Sequence, residues 1–69
     1  MKPNILALQN LIDSKYNGNK SAFAKGIGVE RSHVSKILST GACAGATFFG
    51  ALLDYCKSEK LNFEDFILN

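Results

Sequence analysis

The spacing Ala24-x3-Gly28-x5-Val34 restricts what this chain can fold into more than any other feature of its sequence. Two short helices that cross at about 90–120° through a three- or four-residue turn need a small residue where they approach. Ala24 supplies it. The turn needs a residue that accepts positive φ at no steric cost, and Gly28 supplies that. The second helix needs an apolar anchor facing the first, which is Val34. Phe23, Ile27 and Ile37 fill the apolar positions around these three.

The rest of the chain reads as helices on either side of this junction. Nowhere do β-branched residues alternate with polar ones over a convincing length; apolar residues recur at intervals of three and four. A first helix is expected from Pro3 to Tyr16, with Ile5, Leu8 and Ile12 as its stripe and Leu6 and Leu11 on its flanks. Pro3 suits an early helical position, where its missing N–H would have no partner. Asn17-Gly18 then stops the run, because both residues tolerate the left-handed conformation. Asn19 is an N-cap for a second helix over Lys20 to Gly26, ended by Gly28, with Phe23, Ala24 and Ile27 inward. Gly26 inside it costs roughly 1 kcal/mol relative to Ala. The third helix opens at Glu30 or Arg31 and runs to Leu38, its stripe being Val29, Val34, Ile37 and Leu38, and Ser39-Thr40-Gly41 stops it. An uncharged loop, Gly41 to Ala46, leads to a fourth helix from Thr47 to about Ser58, built on Phe48, Ala51, Leu52 and Tyr55. A fifth is expected within Leu61 to Asn69. There Asn62 reads as N-cap with Asp65 three on, and Leu61 and Phe66 can form a hydrophobic staple. The expected fold is all-α, a compact bundle of five short helices forming one domain over residues 1–69.

Size and composition narrow the function classes. In 69 residues a second core would leave each half too small to fold unaided. The apolar share of 46% against 20% charged is a globular balance. So short a chain has little room for a deep cleft, which favours a binding module over an enzyme. With one histidine, His33, no nucleophile motif, no Gly-rich phosphate loop and no Cys/His cluster, neither catalysis nor a metal or other cofactor is expected. Cys43 and Cys56 are expected to be reduced thiols. The longest uncharged run, Ile37 to Leu53, contains Ser, Thr and three glycines and makes a poor membrane span. The N-terminal stretch is interrupted by Gln9, Asn10 and Asp13 and has no signal-peptide pattern. A cytoplasmic chain is expected, complete as it stands because it starts at Met1 and carries no tag. Residues 1–41 hold six cations against two anions, and residues 42–69 hold two against four. That asymmetry suggests one face for a polyanion and another turned away from it.

The stretch from Asn19 to Ile37 resembles the helix-turn-helix of the Cro/phage-repressor (XRE-like) transcription regulators. The residues that carry the likeness are Ala24, Gly28 and Val34 together with Phe23, Val29, Ser32, Ser35 and Ile37. The first helix, the two later ones and the ending LNFEDFIL are similar to that family's five-helix layout, so the resemblance covers nearly the whole chain. There are departures. Glu30 stands where the family usually has Ser or Thr, Asn19-Lys20 replaces a common Thr-Gln opening, and the usual Pro after the third helix is missing. The segment TFFGALLDY is similar to small phage activators related to the lambda lysogeny activator, which leaves repressor and activator both open.

The resemblance implies a lambda-repressor-like DNA-binding domain of phage or prophage origin. Its third helix enters the major groove and presents Arg31, Ser32, Ser35 and Lys36. Arg31 can bond guanine O6 and N7 with two parallel donors. Lys20 and the start of the second helix would hold a phosphate, as would Ser39 and Thr40 beyond the third helix. Glu30 would face the duplex, either accepting from cytosine N4 or offsetting charge at the helix start, the second being preferred. A lone module binds weakly at cellular salt, so a homodimer is expected, through Phe63, Phe66, Ile67 and Leu68, with the Cys43 loop and the end of the fourth helix beside them; for Phe63 and Phe66 the alternative, closing the monomer core, is preferred. The rival reading is a protein-interaction module on the same fold, antitoxin-like or antirepressor-binding. The uncharged Gly41 to Ala46 loop beside Phe48 and Phe49 motivates it.

Overall fold

The computed structural model describes residues 2–41 and 44–68. In chain order these form strand β1 (Lys2–Pro3), helices α1 (Ile5–Tyr16), α2 (Lys20–Ile27), α3 (Arg31–Thr40) and α4 (Ala46–Glu59), a 3₁₀ turn (Phe63–Phe66) and strand β2 (Ile67–Leu68). The chain is mostly helical, and α2 packs against α1, α3 and α4. No described helix is long and apolar enough to cross a membrane.

Local chemistry sets the helix ends. The Asn4 and Asn19 side chains accept from the N–H groups of Ala7 and Ala22, each satisfying an orphan donor at a helix start. Asn17 takes φ +54 and closes α1. At the end of α2, Gly28 takes φ +79; its N–H reaches Lys25 O and the Val29 N–H reaches Ala24 O. This pair of bonds is a Schellman ending, and it needs a left-handed residue at Gly28. Nothing lies within 4 Å of where a Cβ would stand at Gly28, so backbone conformation alone demands the glycine.

One apolar core joins all four helices. Leu8, Phe23, Val34, Ile37, Phe48, Leu52 and Cys56 are fully buried within it. Phe23 lies at its centre, with its ring edge-on to Tyr16 and Tyr55 at 5.7 and 6.2 Å. The Cys56 thiol is free and buried, and burial pushes its pKa up. Cys43 lies outside the described residues.

Two expectations are corrected at the chain ends. The fifth helix is absent: after one 3₁₀ turn the backbone extends, and Ile67 and Leu68 pair antiparallel with Pro3 and Lys2. A helix as short as this one would be depends on tertiary packing to hold it, as the eight-residue α2 does at the centre of the core. The N-terminal segment instead takes the backbone groups of the last residues. The Asn4 N–H donates to Phe66 O at 2.9 Å, and Asn4 Nδ2 donates to Asp65 O at 3.3 Å. Pro3 accordingly lies in β1, outside the helix, and Asn4 is the cap. The remaining differences are small: α2 continues to Ile27, α3 continues through Thr40, and α4 begins at Ala46.

Candidate nucleic-acid interface

The exposed face of α3 follows from its buried one. Val34, Ile37 and Leu38 anchor the helix in the core, and the 3.6-residue period then turns Arg31, Ser32, Ser35, Lys36, Ser39 and Thr40 to solvent. The three-residue turn Gly28, Val29, Glu30 sets how α3 leaves α2, and Val29 pins it by packing half-buried against the core. His33 is half-buried, its ring edge-on to Phe48 at 6.3 Å.

This arrangement brings three of the residues nominated from sequence around one depression. Lys20, Arg31 and Ser35 line a surface groove of about 310 Å³ together with Gly18, Asn19 and Ser21. Two cations, two serine hydroxyls and the start of α2 therefore converge, and no carboxylate lines the groove. Helix α2 carries no acid at its cap or in its first turn, so the partial positive charge of its start is not cancelled there. The side chains of Lys20, Arg31 and Ser35 form no hydrogen bond or ion pair with another described residue. Chemically the groove is suited to a phosphate or another multivalent oxyanion.

The other nominated residues lie beside the groove. Ser32 and Lys36 occupy adjacent turns of the exposed α3 face. Ser39 and Thr40 are exposed, but both hydroxyls donate back to the Lys36 carbonyl, at 3.2 and 2.8 Å. As oriented, they offer a phosphate lone pairs rather than donors. Ser21 was missed in the sequence reading. Its place two residues after the Asn19 cap was the available signal, because that position lies beside the free N–H groups of the helix start.

A larger hollow of about 490 Å³ lies at the other end of α2, lined by Tyr16, Gly26, Ile27, Ala51, Asp54, Tyr55, Ser58 and Glu59. Three of its polar side chains, Tyr16, Tyr55 and Glu59, are already engaged. The tyrosine hydroxyls lie 2.9 Å apart, and Lys15 Nζ sits 2.6 Å from Glu59 Oε1. Burial, followed by the bond to Tyr16, drives the Tyr55 pKa well above the ordinary phenol range. With two carboxylates on its wall, this hollow is the poorer seat for an anion despite its size.

Around the Gly41 to Ala46 loop, Phe48 and Phe49 point into the core and Ala44 packs half-buried against it. They do not form the exposed patch expected there. Ala42 and Cys43, at the centre of that loop, lie outside the described residues. Of the residues expected at a dimer surface, Phe66 is buried in its own core, Phe63 and Ile67 are half-buried, and Leu68 is exposed. Leu6 on α1 is more exposed still.

No family model, curated protein or solved structure matches this chain.

Proposed function

We propose that this protein is a sequence-specific, double-stranded DNA-binding transcriptional regulator of the Cro/phage-repressor kind, of phage or prophage origin, in which α2 and α3 form a helix-turn-helix. In this reading α3 lies in the major groove. Arg31 reads a guanine, Ser32, Ser35 and Lys36 reach neighbouring base edges or phosphates, and Lys20 with the start of α2 seats a phosphate. The observation that carries the proposal is the groove shared by Lys20, Arg31 and Ser35, with its acid-free lining and its unpartnered cations. Cations left unpaired beside an exposed helix face suit a polyanionic partner better than they suit stability of the fold. A homodimer on half-sites about one helical turn apart would add the affinity a single small module lacks. Leu6, Leu53 and Leu68 are the large exposed apolar residues among those described that are available for such contacts.

The test is selection of bound duplexes from a random pool, followed by titration of the best duplex at several salt concentrations. Binding should weaken steeply as salt rises, because phosphate contacts release counterions. Arg31→Ala should cost about 1–3 kcal/mol on the selected site. If no duplex is enriched, or if Arg31→Ala leaves every affinity unchanged, the proposal fails. Symmetry of the selected motif reports the dimer.

A further inference from the structure

The caps of the helical segments differ in one respect. Asn4, Asn19 and Asn62 each turn a side-chain oxygen back onto a helix N–H, whereas Glu30 at the start of α3 does not. The Glu30 backbone performs the structural part of a cap, since its extended carbonyl accepts from the Val34 N–H at 3.1 Å. Its carboxylate is exposed and forms no hydrogen bond or ion pair with another described residue. It stands next to Arg31, which lines the groove with Lys20, and it pairs with neither cation. Within the fold this charge meets only the partial positive charge of the α3 start, and its hydrogen-bonding oxygens are left without a donor among the described residues.

On a surface that meets phosphates a carboxylate lowers affinity for every sequence, so general attraction is not what it contributes. In the major groove it finds hydrogen-bond donors only on the amino groups of cytosine and adenine. Adenine places the N7 acceptor beside its amino group, whereas cytosine places only a C–H there, and guanine and thymine present carbonyl oxygens. We infer that Glu30 is a specificity-determining residue: it accepts a hydrogen bond from the 4-amino group of a cytosine next to the guanine read by Arg31. It rejects thymine at that position by setting acceptor against acceptor.

This inference rests on the DNA-binding reading, and the two can fail separately. The full chain and its Glu30→Ala and Glu30→Gln variants are each titrated against the duplex selected by the wild type. Two altered duplexes join them, one with the C·G pair changed to T·A and one whose cytosine lacks its 4-amino group. The wild type should bind both altered duplexes about tenfold more weakly. Glu30→Ala should bind all three alike. Glu30→Gln, which can donate as well as accept, should tolerate thymine. Thermal unfolding should shift only slightly and alike in both variants, because each loses the same charge from the α3 start while the backbone cap remains. If Glu30→Ala tightens binding to all three duplexes by one common factor, Glu30 only tunes charge and the inference is overturned while DNA binding stands. If the wild type enriches no duplex, both fall.

Discussion

Helix α2 carries a hollow at each end, and the two are built on opposite plans. At its start, Lys20, Arg31 and Ser35 surround a groove and leave their polar groups without partners among the described residues. At its end, Tyr16 bonds Tyr55, Lys15 pairs with Glu59, and Gly26 leaves room for the Tyr16 hydroxyl. The second hollow is larger, its tyrosine and Lys15–Glu59 pairs tie α1 to α4, and the charge left on its wall is the Asp54 carboxylate. The first is smaller, but the charges left unpaired on its wall are cations, so it is the one with capacity for an anion. Size ranks these hollows one way and charge the other. For a polyanion charge decides, because attraction and desolvation both depend on the sign of the lining.

Several substitutions would break or sharpen this contrast, beginning with the largest effect. Arg31→Ala should cost the binding energy given above while leaving thermal unfolding nearly unchanged, whereas Asp54→Ala at the other hollow should cost no DNA affinity. Equal losses from the two would erase the distinction. Next comes Gly26. A Cβ there would stand 2.7 Å from the Tyr16 hydroxyl, which is held by Tyr55. Gly26→Ala should therefore destabilise by about 1–2 kcal/mol, within the range for overpacking. In a Tyr16→Phe background the obstructing oxygen is gone, and the same change should stabilise by up to about 1 kcal/mol through helix propensity. Denaturant unfolding of the four proteins measures the change of sign.

The Tyr55 hydroxyl gives a pH prediction. Its folded pKa is raised, so the stability it contributes is present below the ordinary phenol pKa of about 10. Above that pH the unfolded phenol ionises while the buried one stays protonated, and stability should fall. Cys56, raised in the same direction, starts its own decline at lower pH, near the ordinary thiol range. Tyr55→Phe should unfold more easily at neutral pH, having lost the bond to Tyr16, but should show a shallower alkaline decline. An unchanged alkaline slope in chemical denaturation would count against the buried phenol as its source. The smallest effect belongs to Lys15–Glu59, whose side chains are 40% and 39% exposed. Lys15→Ala should cost no more than about 0.5 kcal/mol at low salt, less still at high salt, and nothing in DNA affinity.

Much of the fold was legible wherever one residue type answers a local need. Asn19 as a cap, Asn17-Gly18 as a stop and Gly28 as the left-handed turn residue were all readable, since each acts within one helical turn. The end of α4 was less so. Lys60 takes φ +57 there without being Gly or Asn. What holds it is the next residue, Leu61, which packs against the core and donates its N–H to Cys56 O. Gly26 looked like a cost because its use lies on another helix, in the hydroxyl of Tyr16. The site was half legible. Lys20, Arg31, Ser32, Ser35 and Lys36 could be nominated from helical phase and family likeness, but no local rule places Lys20 in one groove with Arg31 and Ser35.

The sequence by itself determined where four helices run, which stripe of each is apolar and which residues of α3 are therefore turned outward. Those properties depend on residues within a few positions of one another. Only the tertiary structure decided the fate of the two ends, where a chain segment that reads as a helix start becomes a strand against residues more than sixty positions away. It also decided which charges stay unpaired. Pairing depends on which helix ends meet, and that is settled when Phe23 and its neighbours close one core between α1, α2, α3 and α4.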